Sequence, residues 1–288
     1  MAPVTRTRLI LDFLTAGESH RYGPQPSQRA DLYLPHGAGP HPVIVLIHGG
    51  SWHKRYGKVV MRGLAADLVR RGWAVWNIEY RRLGEGGGWP ETFDDVAAAI
   101  DHLRTLDAPL DLDSVSLIGH SAGGHLALWA AGRASLPAGA PGAGPAIRPR
   151  RAIGQAPVAD LAGAYRMWHG GAAQALMGGA PEQLPARYSI ADPIELLPLS
   201  MPTLLVHGSM DTTVSVELSR SYAVRAGASG GFAELIEIEG AAGSHRAHID
   251  PRGEAWAAVT GWLGQPLPRP DGAVELLAER PAIPRSGI

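Results

Sequence analysis

Short runs of apolar, β-branched residues alternate with helix-like patterns along most of the 288-residue sequence. Residues 43–47 (VIVLI) form a continuous apolar run, which is typical of a strand buried on both faces of a parallel sheet. Val60, Leu64 and Leu68 then recur at four-residue spacing, which predicts a helix closed by Gly72. Strands separated by helices imply right-handed crossovers, so the sequence predicts an α/β fold.

The alternation continues almost to the end of the chain. It predicts an antiparallel edge at 31–34, strands at 73–78, 115–118, 152–156, 203–206 and 232–238, and helices at 93–103, 125–131 and 254–263. We therefore expect a mostly parallel central sheet with helices on both faces. The domain organisation predicted from these patterns is an N-terminal segment (1–24), an α/β domain (25–265) with a small cap-like insertion (about 161–200), and a proline-rich C-terminal tail (266–288).

Charge and cysteine content exclude several classes of function. The formal net charge is −1 and no long charged block occurs, which argues against a nucleic-acid or anionic-membrane partner. The chain has no cysteine, so disulfides, thiolate metal sites and a cysteine nucleophile are excluded. Without a run of 18 apolar residues or a signal-peptide core, the sequence predicts a cytoplasmic, soluble protein.

Residues 119–123 (GHSAG) place Ser121 between two glycines, at the point where an apolar run gives way to a helical pattern. This G-x-S-x-G pattern is the strand-to-helix turn that exposes a nucleophilic serine. A turn serine is the alternative, since glycine is abundant in the chain. A serine hydroxyl also needs a base, an acid that orients the base, and donors for the developing oxyanion.

An acid and a base follow Ser121 in the expected order. Asp211 ends the turn after the strand at 203–206, and His245 lies in the loop after the strand at 232–238. Loops at the carboxyl ends of parallel strands converge on one edge of the sheet, so we predict a Ser121–His245–Asp211 triad. Asp160 and Asp250 are the alternative acids. His248 is the alternative base, although a helix beginning near His245 would favour its packing.

Residues 48–52 (HGGSW) directly follow the strand at 43–47. Glycines let the backbone approach a ligand closely, so we predict that the amides of Gly50 and Ser51 stabilise the oxyanion together with that of Ala122. Trp52 is a candidate wall of the acyl pocket. Candidates for the opposite wall are three residues of the insertion, Trp168, His169 and Met177.

The other histidines have structural interpretations. We expect His48 to hold the glycine loop through hydrogen bonds, and His120 and His125 to pack around the serine turn. His120 and His125 lie five residues apart, which is poor helical spacing for two metal ligands. The segment 79–81 (EYR) is expected to form a structural polar network. We predict neither a metal nor a cofactor.

With these motifs in place, the sequence resembles the α/β-hydrolase serine esterases, in particular their hormone-sensitive-lipase and feruloyl-esterase-like branches. The HGGSW motif is also similar to the oxyanion motif of kynurenine formamidases (arylformamidases). Residues 245–251 (HRAHIDP) resemble the context of the catalytic histidine in those enzymes, with Arg246 where an aromatic residue is usual. The resemblance covers roughly residues 25–265, and it implies the α/β-hydrolase fold with a serine nucleophile.

Four functions are considered at this point. The main hypothesis is cleavage of a small carboxylic ester through an acyl-enzyme on Ser121. The closest alternative is hydrolysis of N-formylkynurenine, an aryl formamide, by the same residues. A non-catalytic binding protein with this fold is the alternative of another class, and a peptidase is less favoured because no extra domain for peptide selection is evident. The oligomeric state cannot be inferred from the sequence.

Overall fold

The computed structural model describes residues 17–266. Within them, one sheet is formed by β1 (Glu18–Arg21), β2 (Arg29–Tyr33), β3 (His41–Ile47), β4 (Ala74–Ile78), β5 (Leu110–His120), β6 (Arg151–Gln155), β7 (Thr203–Gly208) and β8 (Ala233–Ile238). The spatial order is β1-β2-β4-β3-β5-β6-β7-β8. β2 pairs antiparallel with β1 and β4, and all other neighbours are parallel, which confirms the predicted mostly parallel sheet.

The α-helices of the described residues are α1 (Arg62–Arg70), α2 (Glu91–Asp101), α3 (Ala122–Ala131), α4 (Leu161–Met167), α5 (Gly171–Met177), α6 (Pro185–Ala191), α7 (Glu217–Ala228) and α8 (Glu254–Leu263). None of the helices within 17–266 has the length and apolar composition needed to cross a membrane. β1 lies inside the predicted N-terminal segment yet pairs with β2. The rest of that segment (1–16) and the predicted tail from residue 267 onward lie outside the described residues.

Helices cover both faces of the sheet, as the continuous apolar run of β3 predicts. Alternate residues of a strand point to opposite faces. Val43, Val45 and Ile47 accordingly pack with α2 and α3 on one face. Ile44 and Leu46 pack with α1 and α8 on the other. The segment that follows β3 is thus held by a strand that is buried on both sides.

Residues 161–200 are inserted between β6 and β7 and hold α4, α5 and α6. The sequence predicts one helical segment around 165–177, but the structure interrupts it at His169 and Gly170, whose φ angles of 50° and 95° are incompatible with a right-handed helix. Buried Asp192, directly after α6, is hydrogen-bonded to the start of α4. Its carboxylate oxygens accept from the amides of Leu161 and Ala162, each at 2.8 Å. Burial raises the pKa of Asp192 to about 7. The division into a domain and a cap stays a prediction.

Candidate active site

Ser121 lies in a strained turn between β5 and α3. Its φ of 55° and ψ of −121° are unusual for a residue with a side chain, and strain of this kind persists only where the surrounding structure fixes it. The amide of Ser121 donates to the carbonyl of Gln155 at 2.8 Å. A Cβ at Gly119 would collide with the backbone of Gly123, and a Cβ at Gly123 would collide with the carbonyl of Ile47. Both glycines of the motif are therefore required by close packing.

The predicted acid and base contact each other. Oδ2 of Asp211 accepts a hydrogen bond from Nδ1 of His245 at 2.7 Å. Oδ1 accepts from the amides of Thr213 at 2.8 Å and Val214 at 3.1 Å. Burial opposes ionisation of Asp211, but these hydrogen bonds and the neighbouring imidazole outweigh it and hold the pKa of the carboxyl below its ordinary value. Asp211 is thus an anion that fixes the orientation of the His245 ring.

Ser121 and His245 lie on the same edge of the sheet, after β5 and β8. Within residues 17–266, no hydrogen bond joins the hydroxyl of Ser121 to the His245 ring. Catalytic hydrogen bonds are often long in structures without substrate and shorten in the complex. The His245 backbone carbonyl accepts from Nε2 of His120 at 2.9 Å, so the residue before the serine holds the histidine loop.

The alternative acids and the alternative base have other contacts. Asp160 caps α4 by accepting from the amide of Gly163 at 2.5 Å, and Asp250 pairs with Arg252 at 3.2 Å. His248 is fully buried, and neither of its ring nitrogens has a hydrogen-bond partner among the described residues. Burial, together with neighbouring His207, lowers its pKa to about 4. The geometry therefore favours Asp211 and His245 over these alternatives.

The HGGSW segment follows β3 in a left-handed backbone conformation, with φ of 117° at Gly50, 52° at Ser51 and 55° at Trp52. Within the described chain, the amides of Gly50, Ser51 and Ala122 donate to no backbone oxygen. Ser51 and Ala122 line a cavity of about 140 Å³ together with Ser121. Gly50 instead lines a neighbouring cavity. The arrangement leaves the Ser51 and Ala122 amides available beside the serine.

Hydrogen bonds among His48, Glu79 and Tyr80 fix the start of the HGGSW segment. Nε2 of His48 lies 2.6 Å from Oε1 of Glu79, and its Nδ1 lies 2.8 Å from the carbonyl oxygen of Gly49. The Tyr80 hydroxyl donates to the carbonyl of His48 at 2.8 Å, and the two rings stack with centroids 4.5 Å apart. Residues 48 and 79–81 therefore have structural contacts, as the sequence predicts.

Two tryptophans line the Ser121 cavity. Trp52 is buried and meets the ring of His125 edge-on at 5.2 Å, and Trp168 from the insertion lines the same cavity. The prediction that His169 and Met177 form the opposite wall is not supported by the geometry. Met177 is buried in the core and His169 is exposed, because the chain turns sharply between α4 and α5.

A second cavity of about 450 Å³ adjoins the first, and the two share Ser51 and Ala172. Its walls include His53, Arg55 and Tyr56, which sequence reasoning missed. The available signal was the basic run HKRY (53–56), which directly follows the HGGSW motif. Among residues 17–266, no three His, Asp or Glu side chains are grouped so that they could hold a metal ion.

Comparisons with known proteins agree with an esterase-like fold. An alignment over 229 residues, which covers 71% of this chain and 53% of the esterase LipC of Mycobacterium tuberculosis (strain ATCC 25618 / H37Rv), shows 27% identity. A 112-residue region, 37% of this chain, is 35% identical to a probable isoprenylcysteine alpha-carbonyl methylesterase of Arabidopsis thaliana and covers 22% of it. The chain thus spans between about a fifth and about half of the length of these curated relatives.

Solved structures share the fold. A truncated carbohydrate esterase from gut microbiota superposes with a TM-score of 0.73 at 22% identity, covering 86% of this chain and 95% of that chain. A thermophilic esterase from the Planctomycetes species Thermogutta terrifontis gives a TM-score of 0.70 at 23% identity, covering 87% and 91% respectively. The BD-FAE family model matches residues 30–225, which is more than half of the chain. The protein therefore belongs to the BD-FAE family and has the α/β-hydrolase fold that its sequence resemblance predicts.

Proposed function

We propose that the protein is a serine hydrolase that cleaves a small carboxylic ester. The observation that carries the proposal is the 2.7 Å hydrogen bond between Asp211 and His245, on the same sheet edge as the strained Ser121. The names of the relatives and of the similar structures, which describe esterases, also support it. The chain spans only part of its curated relatives, so the support concerns the type of reaction rather than a particular substrate.

The proposed reaction uses the residues in the order that their contacts suggest. His245, oriented by Asp211, takes the proton of Ser121 as the serine oxygen attacks the ester carbonyl. The amides of Ser51 and Ala122, which line the cavity with Ser121, stabilise the tetrahedral oxyanion, and the amide of Gly50, which lines the neighbouring cavity, stays a predicted third donor. The alcohol leaves with the proton from His245. Water then attacks the acyl-enzyme by the same route and releases the acid.

A small acyl group suits the cavity beside Ser121. An apolar cavity of roughly 150 Å³ is large enough to bind benzene, so a cavity of about 140 Å³ accommodates a short acyl chain. Trp52 and Trp168 would limit the length of the acyl chain. Because Trp168 comes from the insertion, we also propose that residues 161–200 act as a cap over the cavity, within a catalytic domain spanning about 25–265.

The arylformamidase alternative keeps the same mechanism and changes the bond that is cleaved. Its support is the HGGSW motif and the context of His245, both read from the sequence. The predictions of a cytoplasmic location, and of neither a cofactor nor a nucleic-acid partner, rest on the sequence alone.

The test compares kcat/KM for p-nitrophenyl acetate and N-formylkynurenine in the wild type and in Ser121→Ala. We expect the ester to be preferred, and the serine variant to lose several orders of magnitude on both substrates. A strong preference for N-formylkynurenine would favour the arylformamidase. Turnover that persists in Ser121→Ala would contradict the mechanism, and absence of any turnover in the wild type would favour a binding protein.

A further inference from the structure

The larger cavity, which we call the outer cavity, opens beside the predicted oxyanion loop. It has a volume of about 450 Å³, against about 140 Å³ for the cavity that contains Ser121. Small residues of α5, Gly171, Ala172 and Ala175, leave it open on the side of the insertion. Since Ser51 lines both cavities, a group bound in the outer cavity would be continuous with an acyl group held beside Ser121.

Arg55, an exposed residue of the cavity wall, brings a positive charge to this cavity. The described residues offer the Arg55 guanidinium no carboxylate partner, and its recorded contact is with the Tyr56 ring, 6.0 Å from the centroid. Nearby arginines differ in this respect, because Arg81 pairs with Asp95 at 2.7 Å and Arg82 pairs with Glu85 at 2.6 Å. The described walls of the cavity also contain no Asp or Glu.

Arg55 and Tyr56 present complementary chemistry to a ligand. A guanidinium binds a carboxylate through two parallel hydrogen bonds, and such charge-assisted pairs are stronger than neutral ones. The Tyr56 side chain is 45% exposed, so its ring offers a flat apolar surface next to that charge. A cyclic group that carries a carboxylate would satisfy both residues.

We propose that the outer cavity binds the alcohol portion of the ester, and that Arg55 selects an alcohol that carries a carboxylate. This inference rests on the proposed function. The smaller cavity, bounded by Trp52 and Trp168, accommodates the acyl group, so the larger and more open one is left for the alcohol. Once the ester bond is cleaved, the carboxylated alcohol leaves through the open mouth of the outer cavity.

The test uses two acetyl esters that differ in charge, 4-acetoxybenzoate and 4-acetoxybenzamide, at pH 7.5 and low ionic strength. We expect Arg55→Gln to lower the ratio of kcat/KM for the anionic ester to that for the neutral ester by about tenfold. Arg55→Lys keeps the charge without the bidentate geometry and should retain part of the preference. Raising the salt concentration should reduce the wild-type ratio but not that of Arg55→Gln.

Arg150→Gln is the matched control, since Arg150 is an exposed arginine next to the start of β6, at the opposite edge of the sheet from Ser121. It should leave the ratio at the wild-type value. An unchanged ratio in Arg55→Gln would overturn the proposal, and so would an equal loss on both esters. A third substrate, phenyl hydrogen succinate, places the carboxylate on the acyl side, and a loss confined to it would overturn the assignment to the alcohol.

These outcomes separate the inference from the proposed function. Cleavage of both acetyl esters with no effect of Arg55→Gln would overturn only the role of Arg55. Failure of the wild type to cleave any of the three esters would overturn both.

Discussion

Nε2 of His120 donates a hydrogen bond to the backbone carbonyl of His245 at 2.9 Å, and the two rings lie 4.7 Å apart. The residue that precedes the proposed nucleophile therefore holds the loop that carries the proposed base. Burial, reinforced by His245, lowers the pKa of His120 to about 3, so the ring is neutral at working pH and donates through Nε2. His120 is thus a positioning residue in the proposed mechanism.

Removal of this contact should affect turnover more than binding. We expect His120→Ala to lower kcat by about 100-fold with a smaller change in KM, because small displacements of a reacting group are costly. His120→Gln should restore part of the rate, since its amide can also donate. Steady-state kinetics on p-nitrophenyl acetate measures both parameters. A wild-type kcat in His120→Ala would contradict a positioning role.

Gly49, in the HGGSW segment, lies directly against the turn that carries Ser121. A Cβ at this position would lie 2.6 Å from the carbonyl oxygen of His120 and 2.9 Å from Cβ of Ser121, so the backbone would have to move. We expect Gly49→Ala to lower kcat/KM by about 100-fold.

The matched control for Gly49 is Gly227 in α7, whose added Cβ would meet no atom within 4 Å. Gly227→Ala should retain full activity and gain roughly 0.5–1 kcal/mol of stability, because alanine favours the helix. Thermal unfolding and ester kinetics on both variants check this. Equal activity in the two variants would show that close contact between Gly49 and the serine turn is not required for catalysis.

Trp168 limits the proposed acyl cavity from the side of the insertion. Trp168→Ala should shift the preference from acetyl toward hexanoyl esters, changing the ratio of kcat/KM by about tenfold, since each added methylene can then be buried. Phe232→Ala removes an exposed aromatic residue and serves as the control. A chain-length profile that is identical in the wild type and Trp168→Ala would argue against this wall.

Buried His248 should make stability sensitive to acid. Its pKa of about 4 in the folded protein lies below the ordinary value of 6.5, so protonation favours the unfolded chain. Above pH 6.5 the ring is neutral in both the folded and the unfolded chain, and burying it costs no protonation energy. As the pH falls from 6.5 toward 4, the unfolded chain binds the proton first, so the free energy of unfolding decreases. His248→Phe should therefore lose less stability than the wild type between pH 7 and pH 4, by on the order of 2 kcal/mol.

Urea unfolding at several pH values measures this difference. The control is His169→Asn, which changes an exposed histidine with a φ of 50°, a backbone conformation that asparagine tolerates. Its acid sensitivity should match that of the wild type. Parallel curves for His248→Phe and the wild type would contradict the account of the buried ring.

The sequence could predict those features that depend on local pattern. The apolar run at 43–47 and the stripe of Val60, Leu64 and Leu68 determine burial directly, so the sheet and its helical cover follow from them. The contact between Asp211 and His245 follows from topology, since loops after parallel strands meet at one edge.

Features that depend on how distant parts of the chain pack together could not be predicted from the sequence. The sequence pattern of the insertion predicts one continuous helix, but the structure interrupts it at His169 and Gly170. Because of this interruption, Met177 lies in the core and not in the cavity wall. Arg55 carries no motif, and only the folded structure shows that no carboxylate among residues 17–266 pairs with it. Contacts between residues distant in sequence, such as His120 with His245, need the structure.

The most direct test of the proposed mechanism is covalent labelling of the nucleophile, in which the Ser121 oxygen displaces fluoride from phosphorus. The protein is treated with a fluorophosphonate, digested, and analysed by mass spectrometry, with Ser121→Ala and Ser116→Ala run in parallel. We expect one adduct per chain on Ser121, unchanged labelling of Ser116→Ala, and no labelling of Ser121→Ala. An adduct on another residue, or a wild-type protein that hydrolyses esters without being labelled at Ser121, would contradict it.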